Sequence, residues 1–441
     1  MPSEDSSSAY PGRAIVDLGA IADNLAVLRA AAPRSRQMAV VKADAYGHGI
    51  LPVALTALEA GSEWLGVAQL AEALELRAGL DAAGITREAA PILAWIAPSG
   101  ADWGEALRAG IDLSVSWTWV LAEICAAACQ TGIRARIHVK IDTGMSRAGS
   151  TPADLPALAA AVRTASDAGL VEVVGVWSHL SRGDDPSPEG NASTASHVEI
   201  FTRGLEVLAA AGVTPRIRHL SATSGILWHP EAHFDMVRAG IGMYGLSPDP
   251  SVATAAELGL RPAMTLQAPL TSVKVVEADV PASYGGTWRT PSRRWLGLVP
   301  LGYADGILRA GSNGAPVLVD SPEGPIRTSV VGRICMDQFI IDLGPADAEP
   351  GTPTARTPEP PARVGDLAVL FGDPAAGAPL ADEWAAKAGT INYEVVSRLG
   401  ERIPRTHLPS ARTRPDTGDD SAGAPLDDAA ANDDPSKETL R

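Results

Sequence analysis

Between about residue 17 and residue 245, short β-branched runs alternate with longer Ala- and Leu-rich stretches whose apolar positions recur at helical spacing. The runs 38–41, 64–68, 91–96, 111–115, 136–141, 171–177, 217–219 and 236–238 read as eight strands. The stretches 50–60, 71–78, 118–128, 152–166 and 194–211 read as helices. Eight such units predict an α/β fold, a TIM (β/α)8 barrel over 18–258. After Leu260-Arg261-Pro262 the texture changes. Strand-like runs follow closely at 264–276, 295–299, 316–319, 326–331, 339–342 and 366–370, and long helical patterns almost vanish. A mostly β C-terminal domain is expected over 259–408. The strand-like segment 13–17 precedes the first barrel strand and is expected to join that β domain.

Three segments carry no fold signal. Residues 1–12 are polar and Ser-rich, 345–364 are rich in Pro, Ala, Thr and Glu, and 409–441 form an Asp-rich tail. They read as a disordered start, a surface insertion and an acidic disordered end. The 441 residues carry a formal charge of −16 with no basic stripe, which argues against a nucleic-acid partner. No run is apolar for long enough to span a membrane, and the start lacks the pattern of a signal peptide. Three cysteines are too few for a disulfide framework and point to a reducing cytoplasm. Cys125 and Cys129, one helical turn apart, are expected to be small core residues, since two thiols do not complete a zinc site.

Lys42 follows the apolar run Met38-Ala39-Val40-Val41, at the C-terminal end of the first predicted barrel strand, where TIM-barrel active sites lie. A lysine desolvated there becomes a usable nucleophile toward a carbonyl. Gly240 and Ile241 follow another strand and offer backbone N–H groups to an anion, with the Thr223 and Ser224 hydroxyls as further donors.

The string Val41-Lys42-Ala43-Asp44-Ala45-Tyr46-Gly47-His48-Gly49 closely resembles the pyridoxal-phosphate lysine motif of the alanine racemases. Ile141-Asp142-Thr143-Gly144-Met145-Ser146-Arg147, Ser178-His179, Met236-Val237-Arg238-Ala239-Gly240-Ile241-Gly242-Met243-Tyr244-Gly245, Ser283-Tyr284-Gly285, Gly302-Tyr303-Ala304-Asp305-Gly306 and Gly332-Arg333-Ile334-Cys335-Met336-Asp337-Gln338 resemble further signatures in the family's order. The likeness runs from about Arg13 to Arg405, apart from the Pro-rich insertion.

This resemblance implies pyridoxal phosphate on Lys42, with Tyr46 and Tyr393 at its phosphate, His179 against its ring and Arg238 at its pyridine nitrogen. Because a guanidinium keeps its protons, Arg238 would leave that nitrogen unprotonated and weaken the ring as an electron sink. Arg147 and Met336 match substrate-binding positions, and Lys140 matches a carbamylated lysine that orients Arg147. Asp184, Tyr303 and Arg309 match the entry corridor. Racemisation needs a base on each face of a planar centre. The resemblance assigns Lys42 to one face and Tyr284 of the partner in a homodimer to the other, with His179 or His219 available to activate the phenol. One departure is Ala222, where the family usually has Asn.

The expected function is therefore interconversion of L- and D-alanine, supplying D-alanine for peptidoglycan. The alternatives are a broad-specificity racemase or a pyridoxal-phosphate decarboxylase on the same architecture. A non-catalytic carrier of the cofactor would need neither the second domain nor Tyr284. A metallohydrolase is disfavoured because His138, His179 and His219 are singletons without a close His-x-His pair.

Overall fold

A computed structural model describes residues 10–346 and 359–409. Most of the sequence-defined insertion 345–364, most of the start 1–12 and all but the first residue of the tail 409–441 lie outside the described residues. Strand β1 (Arg13–Asp17) comes first, followed by eight parallel strands: β2 (Arg36–Val40), β3 (Trp64–Gln69), β4 (Ile92–Ile96), β5 (Asp112–Val115), β6 (Ala135–Lys140), β7 (Val171–Trp177), β8 (Ile217–His219) and β9 (Met236–Ala239). They run in the order β8-β7-β6-β5-β4-β3-β2-β9, with β2 paired to β9. The remaining seam, between β8 and β9, is stitched by backbone bonds from Asp235 N to Arg218 O (3.0 Å) and Arg238 N to Ser221 O (3.0 Å). The result is a nearly closed TIM-type barrel.

Helices cover the outside because their apolar faces have only the strands to pack on. Leu18–Ala31 starts where the Asp17 carboxylate caps Ala20 N, and Arg261 pairs with the same carboxylate, tying the barrel's first helix to the chain entering the β domain. The helix expected from 194 begins earlier, at Pro188, because Ser187 caps it and a proline fits its first turn. Inside the barrel, Met38, Trp64, Leu93, Val174, Ile217 and Met236 plug the end opposite the site described below.

The β domain is a nine-stranded sheet in which β1 lies between β10 (Met264–Pro269), antiparallel, and Arg405–Leu408, parallel. The run 264–276, read as one strand, is two: it breaks after Pro269, and Ser272–Val276 pairs elsewhere, with Arg294–Val299. At the break Leu270 N bonds to Asp366 O and Thr271 N to Leu298 O, so the backbone changes partners there. Two short helices, Ala381–Ala388 and Asn392–Ser397, also interrupt the β texture. The expectation for the paired cysteines is corrected in one respect. Cys125 is only half-buried and Cys129 is exposed, because the buried stripe of their helix runs through Leu121, Ile124, Ala127 and Ala128 and the cysteines lie beside it.

Candidate active site

Lys42 sits at the C-terminal end of β2 and opens an unusual turn. Ala43, Asp44, Ala45 and Tyr46 all have φ between 52° and 54°, a left-handed helical turn built without glycine. Such a conformation costs about 1–2 kcal/mol per L-residue. Its backbone is held at several points: Ala45 N bonds to Val41 O at 2.9 Å, Ile50 N to the Asp44 carboxylate at 2.8 Å, and Arg405 Nε to Gly47 O at 3.0 Å. The Glu72 carboxylate accepts from Ala43 N (2.6 Å) while also capping its own helix through Gln69 N (3.0 Å). Gly47 is required, since a β-carbon there would lie 2.4 Å from Val396 O. Strain of this kind, over-determined by its surroundings, is characteristic of functional sites.

The turn drives Tyr46 inward. Its ring packs on Tyr244 (centroids 4.7 Å apart) and faces Tyr393 (6.3 Å). A β-carbon on Gly240 would stand 3.2 Å from the Tyr46 hydroxyl and 3.7 Å from Thr223 Oγ1. The glycine thus opens a small polar recess. Thr223 Oγ1 accepts from Gly240 N (3.1 Å) and Gly242 N (3.3 Å), leaving its own hydroxyl proton free to donate. Ile241 begins a short 3-10 turn, so its N–H has no partner within that turn. Among the described residues, neither the Tyr46 nor the Tyr393 hydroxyl has a protein hydrogen-bond partner. Burial pushes both phenols above their ordinary pKa, so both stay protonated donors. Ala222 precedes the helix Thr223–Trp228 and supplies no side-chain cap.

Four cations converge on the same mouth. Burial and then the Arg147 charge lower the pKa of the Lys42 amine, against the pull of Glu72. Lys140, at the end of β6, is buried, lies 4.3 Å from the Trp177 ring centroid and is pushed down to about 8 by burial, Arg147 and Arg238. Arg147 is exposed on a loop whose Asp142 carboxylate accepts from Gly144 N and Ser146 N. Arg238, on β9, is buried and pushed down to about 9 by burial and Arg147. Among the described residues none of the four makes an ion pair with a carboxylate. In a chain of charge −16 this is an anion-seeking pocket.

Arg238 is held entirely by neutral acceptors: Ser178 O (2.9 Å), Leu220 O (3.0 Å), His179 Nδ1 (3.0 Å) and His219 Nδ1 (3.3 Å). Since a guanidinium only donates, both imidazoles present a lone pair at Nδ1 and carry their proton on Nε2. The two histidines then part ways. His219 is fully buried, and its Nε2 is spent on His138. His179 retains an Nε2–H without a protein partner among the described residues, so of the two it is the one free to meet an incoming group.

The remaining sequence-defined residues sit elsewhere. Tyr284 is 71% exposed in the wall of an open cavity of about 480 Å³ whose other walls, including Leu298, Cys335 and Phe339, all belong to the β domain. It is presented by a tense turn: Ser283 has φ 61° and ψ −173°, a region essentially reserved for glycine. The Ser283 hydroxyl bonds to Arg333 O (2.5 Å). Met336 is exposed beside this turn and is fixed to the Tyr303 turn by Tyr303 N to Cys335 O (3.0 Å) and Ala304 N to Met336 O (2.9 Å). Gly302 makes that approach possible, because a β-carbon would lie 2.3 Å from Met336 O. Tyr303 and Arg309 are exposed on the β domain and Asp184 is exposed on a barrel loop. The chain alone therefore assembles the barrel-mouth residues and holds Tyr284 and Met336 on an open face of the other domain.

Two residues at the barrel's heart escaped the sequence reading. His138 figured there only as an unsuitable metal ligand, and Asp112 not at all. Yet Arg136-Ile137-His138-Val139-Lys140 alternates polar and apolar along one strand, which places three polar side chains on the barrel's inner face. Period-two polarity inside a predicted barrel strand was the available signal.

Residues 16–248 match the family model described as alanine racemase, N-terminal domain, and residues 263–407 match that described as alanine racemase, C-terminal domain. The chain is 48% identical over 400 residues to an alanine racemase of Beutenbergia cavernae, covering 90% of this chain and 98% of that protein. It is 44% identical over 405 residues to an alanine racemase of Streptomyces coelicolor, with 92% and 97% covered. Its fold superposes on the crystal structure of alanine racemase from D-cycloserine-producing Streptomyces lavendulae with a TM-score of 0.83 at 45% identity, covering 92% of this chain and 99% of that one. The Bacillus anthracis alanine racemase with bound L-Ala-P gives 0.75 at 32% identity, with 91% and 95% covered.

Proposed function

Because this chain belongs to the alanine racemase family and interconverts the enantiomers of alanine, we propose that it does so with pyridoxal phosphate attached at Lys42, in a homodimer whose two active sites each draw on both subunits. When bound, pyridoxal phosphate supplies an electron sink for charge developing at the substrate's Cα. Tyr46, Tyr393, Thr223, Gly240 and Ile241 hold its phosphate. Two phenols without protein partners among the described residues, and the recess that Gly240 opens beside Tyr46 and Thr223, fit such a dianion. With the cofactor bound, Arg238 would donate to its pyridine nitrogen and His179 would lie against its ring.

Lys42, with its lowered pKa, holds or returns the Cα proton on one face. Tyr284 of the partner subunit serves the other, its phenol met by the free Nε2–H of His179, which stabilises the phenolate form. Arg147 and the N–H of Met336 from the partner orient the substrate carboxylate. Lys140 is a carbamate. An amine with pKa of about 8, buried against two arginines and in no ion pair among the described residues, is nucleophilic toward carbon dioxide and better accommodated as an anion. Asp184, Tyr303 and Arg309 line the entry and exclude larger side chains. The enzyme works in the cytoplasm and its D-alanine goes to peptidoglycan.

The observation that carries this reading is the division of parts: an anion-seeking barrel mouth on one domain and a strained, 71% exposed tyrosine on the other. Incubation of each enantiomer of alanine and of larger amino acids in deuterium oxide tests it. Deuterium should enter Cα of both alanine enantiomers and hardly any larger amino acid. Incorporation into one enantiomer alone would overturn the two-base scheme.

A further inference from the structure

Among the described residues, Arg238 is a buried cation with no anion in direct contact, and its acceptors are neutral carbonyls and imidazoles. An isolated buried charge is expensive, and its lowered pKa reports the strain. The hydrogen bonds leading away from it end on a carboxylate. His219 Nε2 lies 3.0 Å from His138 Nδ1, and His138 Nε2 lies 3.3 Å from Asp112 Oδ2. Asp112, His138 and His219 are fully buried. Beyond them Asp112 accepts from Arg136 Nε (2.6 Å) and Nη2 (3.1 Å) and from Trp64 Nε1 (3.3 Å). Arg136 itself stands in the wall of a cavity of about 480 Å³ at the opposite mouth of the barrel, beside Arg36, Arg87 and Arg216.

Only one assignment of protons satisfies the chain. Arg238 donates to His219 Nδ1, so His219 Nε2–H donates to His138 Nδ1, and His138 Nε2–H donates to Asp112. A protonated His138 would place a second N–H against His219 Nε2. That would turn His219 Nδ1–H toward the guanidinium, donor against donor. Every bond therefore points from Arg238 toward the carboxylate, and each polarises the next. The sequence makes room for this path: Gly175 on β7 faces His138, where a β-carbon would stand 2.3 Å from Nδ1.

We propose that Asp112, itself held in an ion pair by Arg136, anchors Arg238 through His138 and His219 across the barrel core. It is a positioning residue. Its charge orients both imidazoles as acceptors toward Arg238 and so fixes the guanidinium toward the ring nitrogen, and the inference rests on the reading of Arg238 as that nitrogen's partner.

Ring-nitrogen NMR of histidine-labelled holoenzyme tests the path directly. The expected result is a neutral ring with its proton on Nε2 at both His138 and His219; an Nδ1–H tautomer or a charged ring at either position overturns the proposal. Loss of the cofactor reading would show separately, as purified protein without pyridoxal phosphate, while the ring tautomers still report on the path. Asp112→Asn keeps an acceptor and removes the charge, whereas His138→Phe interrupts the path. Each should lower kcat about tenfold with KM little changed and should shift the visible absorption of the bound cofactor, and the double variant should be no worse than either single. Additive losses, or a folded Asp112→Asn enzyme with wild-type spectrum and kcat, would show that the two residues act only as separate packing elements and would refute the relay.

Discussion

Gly175 and His138 face each other across β7 and β6 so closely that any β-carbon on the glycine would stand 2.3 Å from the imidazole Nδ1. The pair explains how a polar ring fits into a barrel core filled elsewhere by Met, Leu, Ile, Val and Trp. Gly175→Ala must push His138 aside or bend β7, where the strand register is already irregular. Overpacking of this kind destabilises by about 1–3 kcal/mol. Thermal or denaturant unfolding should show the loss together with a fall in kcat. Wild-type stability and turnover in this variant would mean that the ring has slack that the geometry denies.

Lys42→Ala should abolish racemisation and leave protein that borohydride no longer labels with pyridoxal phosphate. Tyr284→Phe should keep the label, since an exposed residue of the β domain is not needed to attach the cofactor. At equilibrium the two directions of racemisation remain tied, so the defect is read by isotope exchange. Tyr284→Phe should lose Cα exchange from one enantiomer of alanine by about 10²–10⁴-fold while retaining it from the other. Equal, mild losses would remove Tyr284 from the role of base.

Mixing the two inactive variants addresses the homodimer. A two-fold assembly with shared sites produces, after subunit exchange, heterodimers in which one site has both Lys42 and Tyr284 and the other has neither. Activity should partly return. Verified exchange without recovery would place both residues of a site in one chain.

The carbamate on Lys140 should appear as a ¹³C signal when the enzyme is equilibrated with labelled bicarbonate, and should vanish in Lys140→Ala. Its formation releases a proton from the amine, so it should decline as pH falls below the amine's value of about 8. A signal unaffected by the substitution would belong to another amine.

His48 gives the fold a pH dependence. It is buried beneath Tyr244, its Nδ1–H donates to Tyr46 O (2.9 Å), and burial pushes its pKa down to about 4 from the ordinary 6.5. As pH falls below 6.5 the unfolded chain takes up the proton first, so the stability present above that value is lost progressively until about pH 4. The loss from this group approaches about 3 kcal/mol. His179 and His219, also held well below their ordinary values, act in the same direction. Unfolding midpoints between about pH 7 and 4.5 should fall, and His48→Gln should flatten the slope. Parallel curves for the two proteins would exclude His48 as a source.

The amino-acid pattern sets the order of strands and helices in the barrel, because hydrophobic periodicity is a local property that survives in one dimension. It also sets the chemistry available at strand ends, since Lys42 and Gly240-Ile241 follow their strands closely and Arg238 lies in the last one. It could not announce the left-handed turn at Ala43–Tyr46, because local sterics oppose that conformation and only distant partners such as Glu72 and Arg405 hold it. Nor could it show that 264–276 breaks in two, where hydrogen-bond partners from 298 and 366 redirect the backbone. The path from Arg238 to Asp112 draws one residue from each of β9, β8, β6 and β5, far apart in the chain. Which polar side chains meet inside a barrel depends on the relative register of its strands, and register is fixed only when the whole sheet closes.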